Sequence, residues 1–348
     1  AERGLTMKAA IYHRTGDPTV LELVDRPVPE PGPGEVLVRI AISGVNPTDW
    51  KNRQGDGSGA PPPHGWQIPN QDGAGVIEAV GTGVDSVLVG ERVWIWDAAW
   101  QRPWGTAAEY TLVPVRQVKR LGPASFDLGA SLGIPFLTAH RCLTVGETMP
   151  SRLDLGSLAG RTVLVQGGAG AVGNAAIQLA RWADASVIAT VSSPEKAQLA
   201  VAAGASYVIN YREQDVVAEV RKIVPDGVHI VVEVAATRNA EIDAQVVATG
   251  GAIAAYADDG GGAALTLPVW TMMARNARWQ FVLTYTVPHP AKAQAVEDVA
   301  AAAADGALRV GADAGLPLHY YPLAEVAEAH AAVQSGAVGK VLVVASEA

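Results

Sequence analysis

Three glycines, Gly168, Gly170 and Gly173, stand at G-x-G-x-x-G spacing within residues 162–182, TVLVQGGAGAVGNAAIQLARW. One glycine of such a set allows a tight turn, the next lets backbone approach a pyrophosphate, and the third lets helix pack against strand. Ala171 and Val172 complete the turn. There the unpaired N–H groups and positive dipole end of a helix favour phosphate. The β-branched run 162–166 before the turn reads as a strand buried on both faces. After it, Val172, Ala176, Leu179 and Ala180 recur at helical spacing. Strand, turn and helix are the context the motif demands, and the pattern points to a dinucleotide site.

The next strand end selects the dinucleotide. A site for NAD places Asp or Glu there, about 20 residues beyond the motif, on the ribose 2′-hydroxyl. Residues 189–193 read Ala-Thr-Val-Ser-Ser, with no acid. Ser192, Ser193 and Lys196 instead supply the hydroxyls and cation that suit a 2′-phosphate, so NADPH is expected over NADH. Ser193 also reads as a helix cap before Pro194, and Lys196 as a solvated charge; a cap can still contact phosphate. In a doubly wound sheet the strand ends at 233–236 and 255–256 face the ligand crevice, which nominates Val234, Ala235 and Tyr256 for the nicotinamide end.

The 348 residues suffice for two domains, and 49% hydrophobic against 18% charged residues describes a globular chain. With 26 basic against 35 acidic residues the net charge is −9, and no basic cluster offers nucleic acid or an anionic membrane a landing site. No apolar run reaches the ~18 residues of a membrane span. One cysteine, Cys142, excludes an intramolecular disulfide framework and any multi-cysteine zinc site, and a reducing cytoplasm is the expected location. Met7-Lys8-Ala9-Ala10 reads as a natural start, with residues 1–6 as an upstream extension.

Two rhythms divide the chain. Short strand candidates at 8–13, 21–25, 35–43, 76–80, 92–96 and 109–113, separated by turns and an irregular Gly/Pro-rich stretch at 44–75, predict a small barrel-like domain. From about residue 135 strands and helices alternate, which predicts a parallel sheet with right-handed crossovers. Its strands are expected at 186–190, 207–210, 228–234, 252–256 and 280–287, its helices at 194–203, 216–223 and 240–248. Helices at 291–304 and 323–334 and a strand at 340–345 come after them. Gly129-Ala130-Ser131-Leu132-Gly133 matches the G-x-S-x-G nucleophile elbow but lacks a preceding strand, and Pro135 breaks the helix that the elbow would require after it. The match reads as chance, in a loop.

The chain resembles the zinc-free quinone oxidoreductase branch of the medium-chain dehydrogenase/reductase superfamily, the group that includes zeta-crystallin. Met7-Lys8-Ala9-Ala10, the run at 31–38, Ser43-Gly44-Val45-Asn46-Pro47-Thr48-Asp49, Asp72-Gly73-Ala74-Gly75, Leu137-Thr138-Ala139, the glycine turn and Gly339-Lys340-Val341 carry the match, in family order along nearly the whole chain. The resemblance implies an α/β fold: a GroES-like β-barrel catalytic domain at 1–134, a Rossmann NADPH-binding domain at 135–287, and a segment 288–348 that completes the catalytic domain. It also implies a homodimer through the edge strand at 280–287. Tyr211, Thr138 and Phe281 are added to the cofactor residues by the same resemblance.

On the substrate side, the resemblance places Asn46 and Asp49 in a loop between the domains. Asn46 has the chemistry to donate a hydrogen bond to a carbonyl oxygen and stabilise an enolate, and equally reads as the turn former of an Asn-Pro pair. Many relatives carry tyrosine where this chain has Lys51, so the proton source is Lys51, a water, or no dedicated residue. Trp50, Trp100 and Trp104 are candidates to stack on a flat conjugated substrate. Zinc-dependent members carry Cys near Asn46 and a His-Glu pair before Gly-Ala-Gly; here Asn70-Gln71-Asp72 stands there, and no two of the seven histidines have ligand spacing, so no metal is expected. The expected activity is zinc-independent hydride transfer from NADPH to a quinone or α,β-unsaturated carbonyl. The alternatives are an enoyl-thioester or specialised-metabolite reductase and a low-turnover NADPH-binding structural or regulatory protein.

Overall fold

The protein is described by a computed structural model covering residues 4–346; the first three residues of the expected extension at 1–6 lie outside the described residues. The chain divides into two compact units, one of residues 1–134 with 318–348 and one of residues 135–317.

The first unit begins with β1 (Thr6–Ile11), antiparallel to β2 (Glu22–Pro27). β3 (Glu35–Val45), its inward residues Val36, Val38 and Ile40 fully buried, leads into α1 (Pro47–Gln54). This helix lies inside the stretch expected to be irregular. Asn46 is its N-cap residue and Pro47, with its φ preset and no N–H to lose, its first position. The cap closes when the Asp49 carboxylate accepts the Asn46 backbone N–H at 2.7 Å. β4 (Asp72–Val80), β5 (Arg92–Ile95), β6 (Tyr110–Pro114) and β7 (Val118–Arg120) follow, and then α2 (Phe126–Thr144).

α2 corrects the reading of 129–133 as a loop: Ser131 lies in mid-helix, its hydroxyl donating to the Asp127 carbonyl at 2.7 Å. Pro135 gives no N–H to the helix ladder, and beside it the Ile134 N–H donates to the Asp72 carboxylate at 2.9 and 3.1 Å.

The second unit alternates as expected: β8 (Thr162–Val165), α3 (Ala171–Trp182), β9 (Ser186–Val191), α4 (Pro194–Ala203), β10 (Tyr207–Asn210), α5 (Val216–Ile223), β11 (Val228–Glu233), α6 (Ala236–Val246), β12 (Val247–Ala255), α7 (Val269–Ala274), β13 (Arg278–Phe281) and α8 (His289–Ala304). The six strands are parallel in the order β10-β9-β8-β11-β12-β13, so the order reverses between β8 and β11, where such a sheet opens its crevice. Three expectations shift. The helix expected at 240–248 is α6, which ends at Val246, and β12 begins at Val247. The strand expected at 280–287 is β13, which ends at Phe281, and residues 284–286 form a 3-10 turn. α8 belongs to this unit, not to the segment completing the barrel: its Asp298 hydrogen-bonds His140 at 2.7 Å and accepts the Leu153 N–H at 2.8 Å.

The chain rejoins the first unit at β14 (Leu318–Pro322), followed by α9 (Val326–Gln334) and β15 (Lys340–Val344). β15 pairs antiparallel with β3, which completes a seven-stranded sheet, β14-β15-β3-β4-β5-β7 with β6 also on β3. Among the described residues no helix is long and apolar enough to cross a membrane.

Candidate functional site

The glycine turn joins β8 to α3. A Cβ at Gly168 would stand 2.7 Å from the Ala189 Cβ, and one at Gly173 would overlap the Gly167 carbonyl oxygen; both glycines are required by the packing of turn, helix and strand. Gly170 differs. It is the exposed N-cap of α3, its φ of −74° suits any residue, and it carries no side-chain cap. The first N–H groups of α3, including those of Ala171 and Val172, have no partner within the helix and lie at its positive end. The local fold thus builds an anion seat at an exposed position.

At the end of β9, Ser193 caps α4 by accepting the Lys196 N–H at 3.2 Å, while the Lys196 ammonium donates to the Ser192 hydroxyl at 3.3 Å. The cap and the cation coexist, as the sequence allowed. Tyr211 comes to the same strand ends, because its N–H donates to the Val191 carbonyl at 3.0 Å, and its side chain is exposed.

At the carboxyl ends of β12 and β13, Ala255, Tyr256 and Phe281 line a cavity of about 490 Å³ together with Thr237, Asp258 and Val282. Val234 packs beside Gly167, and the Ala235 N–H donates to the Glu233 carboxylate at 2.7 Å. Thr138, in α2, is buried and does not line this cavity. Sequence reading missed Asp258, which accepts from the N–H and the hydroxyl of Thr237, both at 2.8 Å; its Gly-rich loop carries no periodic signal.

In the first unit Asn46, only 2% exposed, joins a buried polar cluster. Its amide donates to Asp72 at 2.7 Å and its carbonyl oxygen accepts from the Lys340 ammonium, also at 2.7 Å. Burial pushes the Asp72 carboxyl up to about 6, against the opposing pull of Lys340. Burial likewise lowers the Lys340 ammonium, with Asp72 and Asp49 opposing. Asp49 is pushed up to about 8, chiefly by burial, with the Asp72 charge adding to it. Its Oδ1 has no hydrogen-bond partner. Lys340 and Asp72 were not singled out by the sequence, although a lysine opening the apolar run Lys340–Val344 is the kind of lone charge that needs a buried partner.

Asp49 and Trp100 line a second cavity, of about 300 Å³, with Tyr12, His64 and Gln71. Trp50 and Trp104 are not on its wall. Trp104 instead meets Trp66 edge to face at 4.9 Å, with the Arg26 guanidinium 4.0 Å over the Trp66 ring. Lys51 is exposed and outside the buried cluster; its ammonium lies 5.8 Å from the Trp50 ring.

Zinc does not fit these donors. Among the described residues no group of three or more His, Cys, Asp or Glu side chains could hold a metal ion, and the Asn46 cluster already holds its own cation in Lys340.

Comparison with known proteins agrees with this architecture. Residues 32–123 match the alcohol dehydrogenase GroES-like domain and residues 171–303 the zinc-binding dehydrogenase family. Human quinone oxidoreductase is 31% identical over 97% of both chains. Among solved structures, a mycobacterial protein in complex with NADPH matches with a TM-score of 0.78 and 27% identity, covering 97% of this chain and 99% of that one. An NAD-dependent alcohol dehydrogenase matches with a TM-score of 0.82 and 28% identity over 97% of this chain and all of that one. Its sequence kinship along nearly its full length, over a GroES-like barrel and a Rossmann sheet, makes the chain a member of the quinone oxidoreductase branch of the medium-chain dehydrogenase/reductase superfamily.

Proposed function

We propose that the protein is a zinc-independent, NADPH-dependent reductase of quinones or α,β-unsaturated carbonyls. One observation carries the cofactor half: the end of β9 has no ribose-binding acid, and Lys196, in the first turn of α4, is held against Ser192 just beyond it. Gly168, Gly170, Ala171, Val172 and Gly173 would hold the pyrophosphate, and Ser192, Ser193, Lys196 and Tyr211 the 2′-phosphate end. Ala255, Tyr256 and Phe281 would bound the nicotinamide end, with Val234, Ala235 and Thr138 in support. NADPH, when bound, supplies the hydride.

Cofactor preference tests this directly. Wild-type protein should bind NADPH more tightly than NADH in fluorescence titrations. Lys196→Ala should weaken NADPH by about ten- to a hundred-fold, the worth of a charge-assisted contact, and leave NADH nearly unchanged. Equal losses for both nucleotides would remove Lys196 from the 2′-phosphate site, and a wild-type preference for NADH would defeat the cofactor assignment.

For the acceptor, the ~300 Å³ cavity walled by Trp100 and Asp49 suits a flat ring or a short enone. Asn46, its side chain engaged with Asp72 and Lys340 behind this wall, holds Asp49 through its backbone N–H toward an acceptor carbonyl oxygen on which negative charge develops. Asp49 remains protonated at neutral pH and can return a proton to that oxygen, whereas Lys51 is exposed. Turnover should therefore be steady at neutral pH and fall as pH rises through about 8. Asp49→Asn should cut turnover by about 10²-fold and remove that limb; an unchanged profile in the variant would exclude the role.

The homodimer is proposed on β13, an edge strand with exposed Phe281, and on α7, which exposes Val269, Trp270 and Met273. Sedimentation should report twice the chain mass. A cytoplasmic location is proposed from the single, buried thiol of Cys142.

A further inference from the structure

Beneath the glycine turn lies a chain of buried polar side chains that the hydride-transfer scheme does not use. The Gly167 N–H donates to the Thr190 hydroxyl at 3.2 Å, and that hydroxyl donates to Oε1 of the Gln166 side chain at 2.6 Å. The Gln166 amide donates in turn to Asp243 Oδ1 at 3.0 Å. Across from Asp243 stands Glu233, whose Oε1 accepts from the Ala235 N–H at 2.7 Å and from the Asn239 amide at 2.9 Å. Both acids are fully buried. Asp243 Oδ2 and Glu233 Oε2 both lack a hydrogen-bond partner, and Asn239, which binds Glu233, stands one turn before Asp243 on the same face of α6.

Two bare carboxylates cannot be held there. Their partners (Gln166, Asn239 and the Ala235 backbone) are uncharged, and each carboxyl leaves one oxygen without a donor. A single proton between Oδ2 and Oε2 removes both defects: it supplies the missing donor and halves the buried charge.

We infer that Asp243 and Glu233 share one proton, and that the resulting pair is a positioning element that fixes Gln166, Thr190 and Gly167, and so the pyrophosphate turn. The turn needs such support. Gly167 holds a φ of +72°, and its N–H is fastened by Thr190, whose hydroxyl is oriented by Gln166. Burial first, and then the neighbouring Glu233, push the Asp243 carboxyl well above the usual carboxylate range, the direction that favours holding the proton. Tyr256 is tied to Glu233 by its backbone N–H, which donates to the Glu233 carbonyl at 3.1 Å; burial first, and then Cys142, Asp259 and Glu233, raise its phenol well above the ordinary range, so it stays neutral throughout. The other groups in contact are Gln166 just after β8, Thr190 on β9 and Asn239 on α6, none of which titrates.

The inference rests on the nucleotide reading of the turn, and its test separates the two. NADPH affinity and the melting temperature of the cofactor-free protein would be measured from pH 6 to 9 in wild type, Asp243→Asn and Asp243→Ala. Asparagine can donate to Glu233 and accept from Gln166, so it should keep NADPH affinity within about three-fold at pH 7. Wild type should lose affinity and melting temperature at the alkaline end relative to Asp243→Asn, because ionising the pair places two carboxylates side by side; effects of the cofactor's own phosphate are common to both proteins. Asp243→Ala should bind at least ten-fold more weakly at every pH. Parallel pH profiles of wild type and Asp243→Asn in both measurements would overturn the shared proton. A melting difference with unaltered NADPH affinity would overturn the positioning role. NADPH binding absent in all three proteins would defeat the nucleotide reading and the positioning role with it, while the melting profiles would still report the shared proton.

Discussion

Gly173→Ala is expected to abolish nucleotide binding and to unsettle the Rossmann unit with it. The added methyl has no room, since it would overlap the Gly167 carbonyl oxygen, which is backbone and cannot swing aside. Helix α3 must lift from the turn, at a cost of about 3 kcal/mol by analogy with overpacked cores. NADPH affinity should fall at least a hundred-fold, because the turn no longer presents its N–H groups at the right distance. Gly170→Ala is the informative partner. A Cβ at Gly170 finds only the Gly167 oxygen, at 3.5 Å, and the φ of −74° suits alanine, so the melting temperature should hold while affinity drops about ten-fold. A Gly170→Ala protein that melts early, or binds as wild type, would mean that this glycine serves the fold and not the phosphates.

Lys340→Met carries the second large effect. Removing the ammonium leaves the Asn46 carbonyl oxygen without its 2.7 Å donor and Asp72 without its cation, in a cluster closed to solvent. Breaking one side of a buried charge pair costs about 3–5 kcal/mol. In a unit of this size that corresponds to a melting temperature lower by roughly 6–20 °C. The sign with pH is set by Asp72, an acid whose folded pKa lies near 6, above its unfolded value. Such a group favours the folded state most at low pH, and that contribution is lost as pH rises through the folded pKa. Without Lys340 the folded pKa moves higher still, so the deficit should be small at pH 5 and largest near pH 8. Adding Asp72→Asn to Lys340→Met should restore part of the loss, and thermal melts of the four proteins in the cycle would show it. A Lys340→Met deficit independent of pH would assign the loss to packing alone.

These two sites also mark how far the sequence could be read. The Rossmann unit was legible because its signals are local: Pro194–Ala203, Tyr207–Asn210 and Val216–Ile223 form where cap, period and β-branching predict them. Helix α1 was not, since its polar residues lack an apolar period and it stands on the Asn46–Asp49 cap. The continuity of α2 through Pro135 was hidden for a different reason: the group that takes the neighbouring Ile134 N–H, Asp72, is remote in sequence. The same holds for Lys340 under Asn46 and for Asp243 against Glu233. Strand and helix arise from neighbours along the chain, whereas the acids and bases of the site acquire their properties from partners that only the fold supplies.

The residues proposed for the substrate side divide accordingly. Asn46 and Asp49 are gathered into one buried cluster, and Trp100 shares a cavity wall with Asp49. Lys51, Trp50 and Trp104 are elsewhere on the unit, and Trp104 is engaged with Trp66. Trp100 is therefore the tryptophan to replace in a search for acceptor specificity.

The central claim, hydride transfer from NADPH to a conjugated carbonyl without a metal, is tested most directly by one measurement. NADPH oxidation would be followed against a panel of quinones and simple enones in protein dialysed against a strong chelator, with NADH and an alcohol substrate in parallel. The account predicts turnover of at least one conjugated acceptor with NADPH, undiminished by the chelator, slower turnover with NADH, and no alcohol oxidation. Loss of activity on chelation with recovery on adding zinc, or alcohol oxidation in place of acceptor reduction, would contradict it.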